Sequence, residues 1–339
     1  MPATKKVKIK FKDLVVALLD ENAPFPARYL HHFSDLELAN QELLHKIWPK
    51  VSLRRRQALM EDLEQLGEAD DLLNFEVVCR AALRDGDWQV RAAAVRILSE
   101  YEQVEFLPVF EGMAQHDETA QVRAEAAAAL GPFVYQGVVD LLSAQVLRRL
   151  EDMLLGIASG TDQPVVRMRA LEALGYSERE EVIPLIEAAY ATSDHEWLRA
   201  ALFAMGRSAN TDWEGKVLAM LDDQRPDVRS EAATAAGGLE LKSAKQRLLE
   251  LLDDSDSQVR LACIWALSNI GGSGVRRALE NMLENTDDEE EAILLEDALD
   301  NLSFTDGSGG FEILDLANGD EDEEDDWLFS EDKIADNED

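Results

Sequence analysis

DGDWQVRAAAVRILSE, residues 85–100, carries the pattern that decides the fold. An acidic turn leads into an apolar–Arg pair, Val90-Arg91, and then into a run rich in alanine. The same grammar returns as HDETAQVRAEAAAALG around Arg123, TDQPVVRMRALEALG around Arg167 and SDHEWLRAALFAMG around Arg199. It returns again as QRPDVRSEAATAAG around Arg229 and DSDSQVRLACIWAL around Arg260. A degenerate copy without the Arg, TDDEEEAILLEDALDNL, starts at Thr286. Successive arginines stand 32, 44, 32, 30 and 31 residues apart. A fixed period of this size marks stacked supersecondary units.

The period has a physical basis. Counting from the Arg, the apolar positions −1, +3, +6 and +7 share one helical stripe about 100° wide. Alanines there allow close packing, and the acids and Ser/Thr ahead of the stripe suit a helix N-terminus. A Gly at +8 in several copies is expected to take the left-handed turn that ends the helix. Before each motif lies a second apolar segment, such as VIPLIEAAY, GKVLAMLDD or AKQRLLELLDD. Neither helix of such a pair is buried alone, so the units must stack. Two copies depart from the pattern. The Arg199 copy has its Gly at +7, which implies a shorter or shifted helix. The long interval carries VVDLLSAQVLRRLEDMLLGI, within the lengthened repeat at 132–160, which reads as one extended first helix and a candidate recognition insertion.

These motifs resemble the HEAT-repeat family, specifically its phycobilisome-lyase-type HEAT-like repeats with the signature D-x-x-V-R-x-x-A-x-x-A-L-G. The resemblance covers about residues 71 to 304. It implies an all-α, right-handed α-solenoid of about seven two-helix repeats, with second helices lining a concave surface. Such repeats serve scaffolds, adaptors and a few enzymes, so the fold alone does not assign the activity. Residues 1–70 depart from the repeat, with helical patterns at FKDLVVALL, at SDLELANQELLHKIW after a Ser34 or Asp35 cap, and at LRRRQALMEDLEQL. A helical N-terminal cap is the expectation, because array ends need a polar cover.

Charge narrows the function. The 33 Lys and Arg face 69 Asp and Glu, a net of −36. Nucleic-acid and anionic-membrane partners are therefore not expected, and basic protein surfaces are. Residues 305–339 hold 15 acids against Lys333 alone, a net of −14, which leaves −22 for the rest. This acidic C-terminal tail is expected to be disordered. Within it, Trp327, Leu328 and Phe329 follow EDEEDD and read as a short linear anchor, for a partner or for the chain's own surface. Cys79 and Cys263 lie far apart inside helical patterns, and the apolar run Leu14–Leu19 is too short for a secretory signal. Both points suit a cytoplasmic protein.

Catalytic signatures are missing: there is no GxxxxGK[ST], GxGxxG, GxSxG or HExxH. The single His195-Glu196 pair cannot supply the di-iron site that the HEAT enzyme deoxyhypusine hydroxylase builds from several such pairs, and it is expected at a helix start. His31, His32 and His45 lack a matching carboxylate spacing. No cofactor and no metal are expected. The recurring Arg is expected to pair with acids in the inter-helix turns and tie the stack together.

The outward position +5 holds Arg96, Ala128, Glu172, Ala204, Thr234 and Trp265. A Trp on a predicted solvent face is a preferred interface anchor, and Asn269 and Glu231 lie near it in projection. The reading is thus a protein–protein interaction scaffold or adaptor, with Trp265, Asn269, Glu231, Trp327, Leu328 and Phe329 as partner-binding residues. The alternatives are a lyase-like or other HEAT-repeat enzyme or enzyme subunit, and an acidic inhibitor that mimics nucleic acid.

Overall fold

The computed structural model describes residues 9–305, and side chains up to Ser303. Among the described residues all regular structure is helical. The chain opens with α1 (Phe11–Leu19), α2 (Leu38–Ile47) and α3 (Leu53–Ala69). Seven antiparallel pairs follow. They are α4 (Glu76–Ala82) with α5 (Trp88–Ser99), and α6 (Leu107–His116) with α7 (Ala120–Ala128). After an intervening α8 (Gly131–Val138) come α9 (Ala144–Ala158) with α10 (Pro164–Ala173), and α11 (Val182–Tyr190) with α12 (His195–Arg207). The last are α13 (Glu214–Met220) with α14 (Pro226–Gly238), α15 (Lys245–Leu251) with α16 (Ser257–Ile270), and α17 (Val275–Asn285) with α18 (Glu289–Thr305). Each first helix packs on the second helix of its own pair. The second helices stack in the order α3, α5, α7, α10, α12, α14, α16, α18, which makes the molecule an α-solenoid.

The stripe inferred from the sequence is the core. At position −1, Val90, Val122, Val166, Leu198, Val228 and Val259 are buried, as are Ala94, Ala126, Ala170, Leu202, Ala232 and Cys263 at +3. Burying each of the larger side chains contributes about 1.5–3 kcal/mol. Asp87, Asp194 and Asp256 cap α5, α12 and α16, each accepting backbone N–H bonds from the first turn. Cys79 and Cys263 are free and buried, and burial pushes both thiols up, Cys263 to about 12. No described helix is long and apolar enough to cross a membrane.

The recurring Arg bridges two turns. Arg229 donates from Nε and Nη2 to Asp254 at 2.9 Å, and from Nη1 to the Asp223 carbonyl of its own turn at 2.8 Å. Arg91 does the same with Asp117 and the Asp85 carbonyl, and Arg123 with Asp162 and the Asp117 carbonyl. Arg260 reaches Glu291 and the Asp254 carbonyl. Bonds from Arg123 and Arg229 hold Asp162 and Asp254 below the usual carboxylate range. Arg56 of α3, in a helix that lacks the motif, makes the corresponding contact with Asp85 at 2.8 Å.

Several sequence expectations require correction. The +8 glycines do not end helices in the left-handed region; that conformation falls further on, at Glu102, Ala209, Glu240 and Gly271. Instead, Gly175, Gly206 and Gly237 let one second helix approach the next. A methyl on Gly237 would stand 2.7 Å from Ala266 Cα, on Gly206 2.8 Å from Ala235 Cα, and on Gly175 2.9 Å from Ala204 Cα. The long interval is not one lengthened first helix either. Asp140, at φ 61°, turns the chain between α8 and α9, and the Ser143 side chain caps α9. The insertion therefore prolongs the second-helix layer, since α8 follows α7 after two residues and packs beside α10. Finally, α2 is preceded by Glu37 rather than capped by Ser34 or Asp35. Ser34 Oγ accepts from Asn74 N–H, and Asp35 lies at φ 49°.

Gly237→Ala is expected to lower stability by about 1–3 kcal/mol, because the obstructing Ala266 Cα is backbone and cannot rotate aside. Chemical denaturation checks this against Gly215→Ala, where no atom lies within 4 Å of the added carbon.

Candidate partner-binding face

The clamp of arginines is interrupted in the middle of the array. Arg167 donates to the Ala158 carbonyl and stacks over Trp197 at 5.2 Å, without a carboxylate within 4 Å among the described residues. In α12 the whole register has slipped. Aligned by its close approach to Gly175, Ala204 corresponds to the +6 alanines, so buried Leu198 occupies the place an Arg holds elsewhere. Arg199 comes one residue late and is rotated by about 100° around the helix. Its expected partner, Asp223, is instead bound by Arg225 at 2.8 Å.

The displaced Arg199 helps to line a cavity of about 210 Å³ between α10, α12 and α14, with Val165, Met168, Arg169, Glu172, Phe203 and Glu231. Arg169 pairs with Glu172 at 2.6 Å, whereas Arg199 stands 3.8 Å from Glu231 and its buried Nε has no acceptor. Burial pushes Glu231 up to about 7 against the pull of Arg199, and the neighbouring Glu172 charge adds to the rise.

Beside this cavity runs an aromatic–cation stack. The Arg207 guanidinium lies 4.0 Å from the Phe203 ring centre and 4.8 Å from that of Tyr176, and Tyr176 packs on Tyr135 at 5.2 Å. Among the described residues Arg207 has no carboxylate partner; its Nη1 reaches only the Glu172 carbonyl, at 3.5 Å. Burial lowers its affinity for the proton. Tyr135 remains 50% exposed at the end of the stack.

Of the residues singled out by sequence, Trp265 stands 40% exposed on the second-helix face, its ring edge packed over Gly237. Asn269 lies one turn further along α16 and accepts from Asn301 Nδ2 at 3.2 Å. Glu231 is not grouped with them, because it faces Arg199 in the central cavity. Trp327, Leu328 and Phe329 lie outside the described residues. At the other +5 positions, Glu172 is buried beneath Arg169, and Ala204 is buried because of the register slip. The slip places Phe203 at the outward position. Counting the copy from Gly206 rather than from Arg199 would have found it; Tyr135 and Arg207 carried no comparable signal. His195 opens α12, and its side chain converges with Glu196 and Asp227 within 4.8 Å, all three at least partly exposed.

The HEAT-repeat family profile matches residues 55–131 and 215–302. No curated protein matches the chain. Among solved structures, the complex of CpcE and CpcF of phycocyanin lyase from Nostoc sp. PCC7120 is similar at 17% identity. The match covers 89% of this chain and 98% of that one, with a TM-score of 0.49. The Escherichia coli protein YibA is similar at 19% identity, covering 70% and 96%, with a TM-score of 0.40. Human deoxyhypusine hydroxylase in complex with glycerol is similar at 18%, covering 77% and 95%, with a TM-score of 0.35.

The raised carboxyl of Glu231 gives a pH dependence with a definite sign. The folded state holds this proton more tightly than the unfolded chain, so the group favours the fold at low pH. That contribution is lost as pH rises from about 4.5 through about 7. Glu231→Gln is expected to be more stable than the parent at pH 8, by at most about 3 kcal/mol, with the gain shrinking towards pH 4.5. Denaturant midpoints of both proteins at the two pH values check it.

Proposed function

We propose that this HEAT-repeat chain is a non-catalytic scaffold or adaptor that holds a protein partner on the face formed by its second helices. The observation that carries the reading is Trp265, a large aromatic left 40% exposed on that face. A Trp in such a position gives a partner a broad apolar contact at small entropic cost. The Tyr135–Tyr176–Arg207–Phe203 stack offers a second anchor further along the array. With a net charge of −36, the surroundings favour a partner whose own surface is basic around its apolar contact, and steer it in by long-range attraction. The free, buried thiols suit a cytoplasmic setting.

The test is affinity capture from source-cell lysate with the intact chain and with Trp265→Ala, read by mass spectrometry. A discrete protein retained by the parent is expected, with affinity reduced about tenfold or more in the variant, as for an interface anchor worth over 1.4 kcal/mol. Failure to retain any protein above background, or equal retention by both forms, would count against the reading.

A further inference from the structure

Arg207 combines features that call for an outside ligand. Its guanidinium is half-buried against two rings, Phe203 and Tyr176, and no carboxylate lies within 4 Å of it among the described residues, although Glu172 and Glu231 act on it from further off. Of its five N–H donors, one meets a protein acceptor there, at the long distance of 3.5 Å. Helix α8 meets Arg207 at its first residue, Gly131, and leaves apolar surface uncovered further along: Tyr135 is 50%, Val139 42% and Leu141 71% exposed. A cation packed on rings, with exposed apolar surface further along α8, fits a ligand in which an aromatic side chain adjoins carboxylates.

We propose that this stack is the docking site of the chain's own segment Asp325–Phe329, in which Asp325 and Asp326 precede Trp327, Leu328 and Phe329. The placement of the chain end supports an intramolecular contact. Asn301 near the end of α18 bonds to the Ser268 carbonyl and to Asn269, Gly237 abuts Ala266, and Gly206 abuts Ala235. The C-terminal ends of α18, α16, α14 and α12 are therefore level, and the chain leaves α18 on the edge where Arg207 stands. Three helix spacings separate α18 from α12, about 27 Å. The connection from Thr305 to Trp327 is 22 residues. At up to about 3.3 Å per residue, a connection of that length is long enough to cross the gap. The other end of the protein is a poor occupant, because Lys5, Lys6 and Lys8 would bring cations to a cation. The contact goes beyond the scaffold reading and does not need it. Where a partner also uses this part of the face, the segment would have to be displaced first, which makes it a built-in competitor.

Photo-crosslinking tests this on the full chain without any partner. With p-benzoylphenylalanine in place of Leu328, adducts are expected on residues 131–142, 174–178 and 203–207. Their yield should not change on tenfold dilution and should fall at least fivefold in Arg207→Gln. A second readout leaves the repeats untouched: in Trp327→Ser/Phe329→Ser, loop amides at 139–142 and 208–210 should exchange at least fivefold faster. Adducts on the N-terminal lysines, adducts lost on dilution as for a second copy, or unlocalised adducts with unchanged exchange would each overturn the proposal. Retention of the parent melting temperature excludes unfolding as the cause of a reduced yield.

Discussion

A guanidinium held between two turns governs how one repeat sits on the next. At the head of a second helix it binds its own turn through a carbonyl oxygen and the following turn through a carboxylate, as Arg229 does with Asp223 and Asp254. The two fixed acceptors set both distance and rotation between neighbours. Further along the same helices, glycine facing alanine permits backbone approach that any side chain would block, as at Gly237 and Ala266. The polar clamp at one end and the close contact at the other leave little freedom to the apolar stripe between them. Repeats joined in this way share a continuous core and owe their stability to their neighbours.

The single-residue slip in α12 shows how a local irregularity turns a structural residue into part of a surface feature. With Leu198 in the clamp position, Arg199 is turned towards Glu231 and Phe203 is turned outwards beside Arg207. The same region contains the inserted α8, which adds Tyr135 to Tyr176. Both departures from the repeat thus converge on one part of the face. Several other outward side chains of the second helices are already engaged with neighbours, such as Arg96 with Glu64 and Thr234 with its own backbone.

Much of this was legible in the sequence because the repeat copies report on one another. The buried stripe, the Asp caps and the turn-bridging role of Arg91, Arg123, Arg229 and Arg260 followed from six aligned copies. Trp265 was placed correctly on the outward face by helical geometry alone. What escaped depended on contacts between helices far apart in sequence. The glycines looked like helix ends because spacing along a helix does not reveal how near the next backbone comes. Arg56 was hidden because its helix lacks the alanine grammar, although it uses the same acceptor geometry. In projection Glu231 falls near Trp265, but a projection does not say which neighbouring helix a side chain meets.

The interruption of the clamp also bears on the mechanics of the array. Bridged turns run from Arg56 to Asp162 and again from Arg229 to Glu291, while Arg167 and Arg199 leave the junctions between them unbridged. In a one-dimensional lattice of coupled units, weak couplings decide where the lattice parts and where it bends. In the middle section the repeats are held by packing and by the Gly175 and Gly206 contacts, without the carboxylate clamp. Tension along the axis of the array, or a curved object pressed against it, would meet no such clamp at α10–α14, the section that carries the aromatic stack.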